Sequence, residues 1–155
     1  MDGDRQTPGW FDTHEVTNQP PPLEAYDVFS SDRALVEAVE RHGAADNVGD
    51  LAAIGRRAGD PEWIERGRQA NSVTPILRTH DRYGRRLDVV DYHPAYHDLM
   101  GAAIDAGLHA APWVDTRPAP HVTRAAGVIT WYQVDAGHTC PISMTYSSVP
   151  ALGHE

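Results

Sequence analysis

Lysine is missing from this chain: all 13 basic residues are arginine, set against 22 acidic ones, for a formal charge of −9. The missing lysines are read as genomic base composition and carry no functional weight. The acidic balance argues against DNA contact through this segment, because affinity for phosphate rests on clustered cations. Cysteine is almost absent too. With Cys140 alone, no intrachain disulfide can form, and a reducing cytoplasm is the expected compartment. No apolar run approaches the roughly eighteen residues that span a bilayer, and Asp2, Asp4 and Arg5 leave no apolar core near the start, so no membrane partner is expected. The 13 glycines are scattered singly. None builds a G-x-G-x-x-G or Walker-type loop, so a self-sufficient nucleotide site is not expected. No pair of acids stands out for acid/base work.

What is present suits one domain: 155 residues, 41% hydrophobic and 23% charged, values close to ordinary globular ones. Residues 1–13 read as a loose polar tail. The run Asn18-Gln19-Pro20-Pro21-Pro22 holds the backbone near polyproline II and forbids helix, so residues 1–31 are expected to form an extended arm. Tyr26 and Phe29 favour docking of that arm onto protein.

Residues 32–152 read as a helical domain. Ser31 is expected to cap a helix from Asp32 to about Arg41, with Leu35, Val36 and Val39 as its stripe and Gly43 as its stop. A second helix runs from about Val48 to Ala58. Asp60-Pro61 starts a third, pairing a capping acid with proline at the first helical position. Two short strands around a turn at Asp81–Gly84 predict a β-hairpin over about 76–91. Pro94 starts another helix, with Tyr96, Met100, Ile104 and Leu108 at spacings of four. The last third, Pro118 to Leu152, reads as a helical hairpin, Val122–Ala136 and Cys140–Val149, stopped at Gly137 and recapped by Thr139 with Pro141 in the first turn. Ser143 and Ser147 suggest that the second of these helices faces protein. The fold class is mainly α, a helical bundle with one short hairpin.

Candidate chemistry is sparse. His93 and His97 have a spacing that can put two imidazoles on one metal, but no general base lies between them, and capping by His93 with core-edge packing by His97 is the better reading. Cys140 beside His138 invites a nucleophile reading; no orienting acid is evident, and a buried structural thiol is favoured. Arg78, Arg82, Arg85 and Arg86 form a local basic cluster, read as a solvated turn pairing with Asp81, Asp88 or a partner's carboxylates in preference to a phosphate site.

Four runs come in a telling order. They are Thr13-His14-Glu15-Val16-Thr17-Asn18-Gln19-Pro20-Pro21-Pro22-Leu23, then Tyr83-Gly84-Arg85-Arg86-Leu87-Asp88 leading to His93-Pro94-Ala95-Tyr96-His97, then Ala111-Pro112-Trp113, and last Gln133 through Thr145. In this order they resemble the N-terminal α-domain of the AidB-like, adaptive-response flavoproteins of acyl-CoA dehydrogenase type, over about residues 13–152.

The resemblance implies a homotetrameric FAD enzyme of which this is one part. It also implies that the catalytic and flavin-contacting residues lie outside this sequence, so no catalytic, flavin or metal residue is assigned here. By resemblance, Met144, Thr145 and Tyr146 border the cavity in front of the flavin, and Asn18 to Pro22 form an arm that packs on other subunits. Two functions are weighed: the helical part of an acyl-CoA dehydrogenase-like oxidoreductase linked to the response to DNA alkylation, inactive alone, or a stand-alone helical interaction module. A DNA-protective role is a third, which the acidic balance opposes.

Overall fold

In the computed structural model, residues 13–14 and 17–153 are described. Residues 1–12 of the tail expected over 1–13, and the Glu15-Val16 step of the first matched run, lie outside them. Asn18 to Pro22 are exposed and adopt neither helix nor strand. The chain then enters the body earlier than residue 32. Ala25 N donates to Gly59 O at 2.6 Å, and a helical turn, α1 (Val28–Ser31), is capped by the Asp27 carboxylate on Ser30 N. Phe29, expected on the arm, is fully buried in the domain's own core. The arm reading gives way at Asp27 because Phe29 has a closed apolar site in its own chain, where burial is worth about 1.5–3 kcal/mol.

Helix α2 (Arg33–Arg41) is capped by Asp32, which accepts from Leu35 N, and not by Ser31, which closes α1. A short 3₁₀ turn (Ala45–Asn47) leads into α3 (Val48–Ala58). Then α4 (Pro61–Ser72) begins at the expected Asp60-Pro61 signal, the Asp60 carboxylate accepting from Glu62 N. Strands β1 (Ile76–His80) and β2 (Arg86–Asp91) pair antiparallel, Ile76 facing Asp91 and Arg78 facing Val89, with a register shift before His80. Asp88 takes a left-handed φ of 51° within the shifted part, as a bulge requires and a short polar side chain tolerates. The turn is held by Asp81, whose Oδ1 accepts Tyr83 N and Arg85 N at 2.7 and 2.9 Å. Asp81 is therefore not an ion-pair partner; Arg86 pairs with Asp88 and Arg78 with Asp91. Both faces of this ribbon are exposed, Ile76, Leu77, Leu87, Val89 and Val90 among them.

Helix α5 (Pro94–Asp105) starts at Pro94, and His93 Nδ1 accepts Ala95 N at 3.2 Å, the expected cap. Its buried face is not the large-residue stripe. Ala95, Leu99, Ala102 and Ala103 are buried, while Ile104 is exposed and Leu108 lies past the helix end. Small residues let α4 and α5 lie close, which outweighs the size of the side chains on the other face.

After a 3₁₀ turn (Ala111–Trp113), α6 (Pro120–Trp131) ends well before Ala136. Gln133 N and Val134 N donate to Thr130 O and Trp131 O; these i to i−3 bonds tighten and unwind the last turn. Ile129 and Tyr132, three residues on from the buried Ala126 and four on from the half-buried Val128, are exposed on the outer side of α6. Helix α7 (Thr139–Leu152) takes in Pro150. Thr139 is not its cap, since its hydroxyl donates to Ala136 O at 2.6 Å. Nor do α6 and α7 form a close hairpin: α7 packs chiefly on α5, and its links to α6 run through long side chains. Ser143 is half-buried and Ser147 exposed, the Ser147 hydroxyl bonding back to Ser143 O.

Two apolar clusters meet at Ile54. One joins Ala58, Leu99, Ala102, Leu108, Trp131 and Ile142; the other joins Phe29, Val39, Ala44, Leu51 and Ala126. Trp63 meets Trp131 edge-on, centroids 5.3 Å apart. Gly55 lets α1 sit against α3, since a Cβ there would lie 2.6 Å from Phe29 N. Among the described residues no helix is long and apolar enough to cross a membrane.

Candidate functional site

Two polar constellations surround α7. The first is centred on Tyr146. Pro150 has no N–H to offer the carbonyl four residues back, so the Tyr146 carbonyl is free, and the Trp113 indole donates to it at 3.1 Å. The Tyr146 hydroxyl lies 2.7 Å from His121 Nδ1. Arg124 lies over the ring, 3.9 Å from its centroid, a cation–π contact. The same guanidinium donates to Leu108 O at 2.9 Å and to the Ser143 hydroxyl at 3.2 Å. Burial pushes Arg124 down from its ordinary value, with the nearby Tyr146 opposing.

Of the three residues expected to border a cavity, only Tyr146 turns inward, into this cluster. Met144 is 67% exposed and Thr145 is exposed, its hydroxyl donating to Pro141 O. Residues two apart on a helix point to opposed sides, so Met144 and Tyr146 cannot line the same wall within this chain.

The second constellation sits where α7 begins. Asp135, buried in the turn after α6, accepts His138 N at 3.1 Å and His138 Nδ1 at 2.9 Å on one oxygen, and the Asn71 amide of α4 on the other. Burial pushes this carboxyl up, but the bonds from His138 and Asn71 outweigh it and hold Asp135 below its ordinary value. The ionised carboxylate fixes the proton on Nδ1 of His138. Its Nε2 is buried and has no partner, as is the Trp131 indole N–H.

An orienting acid therefore exists, three residues before His138, which sequence reasoning missed. It does not activate Cys140, because the imidazole is wholly buried while Cys140 is exposed. Cys140 is not the buried thiol expected, since the α7 face that turns inward carries Thr139 and Ile142. His93 is committed to capping. His97 is exposed, edge-on to Tyr92 and Tyr96, and so lies outside the core margin where it was placed. Among the described residues no three His, Cys, Asp or Glu side chains gather as metal ligands.

Among the described residues, the arginines beside α6 and α7 are not free to cradle a flavin pyrophosphate. Arg117 is engaged by Asp50 at 2.7 Å and Asp115 at 2.9 Å, Arg124 is engaged as above, and no run of glycine amides opens at a helix start. The described side chains around α7 therefore offer that cofactor's phosphates no unengaged cation.

Comparison with known proteins sets these features in context. The profile of the adaptive response protein AidB N-terminal domain matches residues 18–155. A curated relative, the putative acyl-CoA dehydrogenase AidB of Escherichia coli strain K12, is 45% identical over 143 residues, which cover 92% of this chain and 26% of the relative. Among solved structures, Bd2924 in its apo form superposes with a TM-score of 0.78 at 24% identity, over 88% of this chain and 28% of that one. Caenorhabditis elegans ACDH-11 in complex with C11-CoA gives 0.73 at 21% identity, over 92% and 25%. These two show a shared fold. The chain spans about a quarter of the length of the relatives it matches.

Proposed function

The chain belongs to the AidB N-terminal domain family, and from that premise we propose that it serves as the helical wall of an FAD-dependent, acyl-CoA dehydrogenase-like protein acting in the adaptive response to DNA alkylation. The observation that carries this reading is α7. Its inner side is locked by the Tyr146 and Asp135 clusters, while Met144, Val149 and Leu152 are exposed along it, as are Ile129 and Tyr132 on α6. Apolar side chains so arrayed on rigid helices suit a surface that closes against further polypeptide or a hydrocarbon chain. ACDH-11, which shares the fold, was solved with C11-CoA, which supports an acyl-CoA-like ligand for the whole protein.

In this reading flavin is held by residues outside those described here, and supplies hydride acceptance when bound. This chain's part is to bind and to exclude water: Met144 and Thr145 border the acyl path, and Arg124 with Trp113 fixes α7 through Tyr146. Asn18 to Pro22 pack against other subunits of a cytoplasmic homotetramer. Expression of the whole reading frame tests it. The purified protein is expected to be yellow, to bleach on adding a medium-chain acyl-CoA, and to lose the bleaching but not the colour on Met144→Asp. Full bleaching by Met144→Asp refutes the assignment.

A second reading, a stand-alone helical interaction module, is favoured by the hairpin, whose aliphatic residues are exposed on both faces. Sedimentation of the 155-residue chain separates the two: a defined oligomer lost on Leu77→Asp supports the module.

A further inference from the structure

The Asp135 carboxylate faces a cavity of about 430 Å³, lined by the end of α4, the base of the β-hairpin, the first turn of α5 and the turn before α7. Three observations bear on what fits there. First, Asp135 is the buried carboxylate among the described residues, and no arginine pairs with it; its partners are an amide, a backbone N–H and an imidazole. Second, no basic side chain lines the cavity. Its aromatic wall is Tyr92 and Tyr96, stacked with centroids 4.3 Å apart at 15°. Third, Gly137 puts no side chain beside the carboxylate, which is buried but lines the cavity. A Cβ there would stand 3.5 and 3.8 Å from the two carboxylate oxygens.

An anion meets a carboxylate and two electron-rich rings with no basic side chain in the lining to offset them, and is repelled. A hard divalent ion would find one carboxylate that already accepts three hydrogen bonds and one side-chain amide, and among the described residues no three His, Cys, Asp or Glu side chains gather to hold it. A soft, weakly hydrated cation satisfies both walls at once, by a charge-assisted hydrogen bond to the carboxylate and by cation–π attraction to the rings.

We propose that the cavity bounded by Asn71, Pro75, Tyr92, Tyr96, Asp135 and Gly137 is a binding site for a guanidinium group. The group comes from a free small cation or from an arginine of another polypeptide, and the two sources share this chemistry. The site is independent of the flavin reading and stands or falls separately.

The test is a titration of the isotope-labelled 155-residue chain with methylguanidinium chloride, followed by amide NMR against a sodium chloride control at matched ionic strength. Saturable shifts at the Gly137 amide and the Asn71 side-chain amide are expected at millimolar ligand. Gly137→Ile, which fills the cavity and leaves Asp135 in place, is expected to weaken binding at least tenfold, and Tyr96→Leu severalfold. Thermal unfolding of both variants checks that they remain folded. Tighter binding of N-acetyl-arginine amide than of methylguanidinium assigns the site to another polypeptide, equal binding assigns it to a free cation, and butylammonium is expected to bind more weakly than either. Shifts that do not saturate, that sodium chloride reproduces, or that survive Gly137→Ile overturn the proposal.

Discussion

Two chemically identical substitutions are expected to act in opposite directions. Gly67 lies on the face of α4 that meets the turn after α6; a Cβ built there falls closer than 3.0 Å to the Val134 carbonyl oxygen and 3.1 Å from its carbon. The neighbour is backbone and is itself bracketed by hydrogen bonds, so it cannot swing aside as a side-chain tip would. Ordinary contact needs about 3.5 Å, so the methyl must push α4 and the turn apart. Overpacking of this kind costs about 1–3 kcal/mol. Alanine recovers roughly 0.5–1 kcal/mol of helix preference over glycine, leaving Gly67→Ala about 1 kcal/mol less stable at the middle of those ranges and up to about 2.5 at the extreme.

Gly101 is also inside a helix, α5, but nothing lies within 4 Å of its Cβ position. Gly101→Ala therefore keeps only the gain. Equilibrium urea unfolding followed by circular dichroism at unchanged m-value reads both. For a chain this size the thermal midpoints are expected to move by about 2–4 °C per kcal/mol, downward for Gly67→Ala and upward for Gly101→Ala. Equal stabilisation by both refutes the close seating of α4 on the Val134 carbonyl, and with it the geometry that brings Asn71 to Asp135.

Other outcomes follow from the same contacts. Leu99 of α5 is fully buried in the cluster with Ala58, Leu108, Trp131 and Ile142, so Leu99→Ala is expected to cost about 2–5 kcal/mol in urea unfolding. Asp135 is held below its ordinary carboxyl value of 3.8 in the folded chain. The stability it confers is then present above that value and lost as pH falls through the lower, folded one. Unfolding midpoints between pH 6 and pH 2 should drop less steeply in Asp135→Asn than in the parent chain. Cys140 is exposed, so a thiol-specific chromogenic disulfide should label it completely in the native state, at a rate that denaturant raises little.

Much of the fold could be read from local chemistry. The Asp60-Pro61 and His93-Pro94 starts, the Gly43 stop and the Asp81 turn are short-range devices, complete within a few residues, and they appear where the sequence places them. What failed was decided at long range. Phe29 looked like an arm residue because the pocket that takes it is built from α3 and α6. The buried face of α5 was misread because large side chains drew attention away from Ala95, Ala102 and Ala103, whose smallness matters only once α4 is known to lie there. The end of α6 was set too late, at Gly137. The unwinding begins at Gln133 and is held by Asp135 reaching Asn71, 64 positions away in sequence. The Asp135–His138 pair alone carried a readable sign, an acid three places before a histidine at a helix start.

Pro150 has a reach beyond its own helix. By withholding one proton from α7, it leaves a single carbonyl oxygen unsatisfied, and Trp113 fills that vacancy from a segment 33 positions upstream. Pro150→Ala would let α7 complete its internal ladder and leave the indole competing for an oxygen already taken. The loop that carries Trp113 would then drift from its mooring although no atom of the loop had changed.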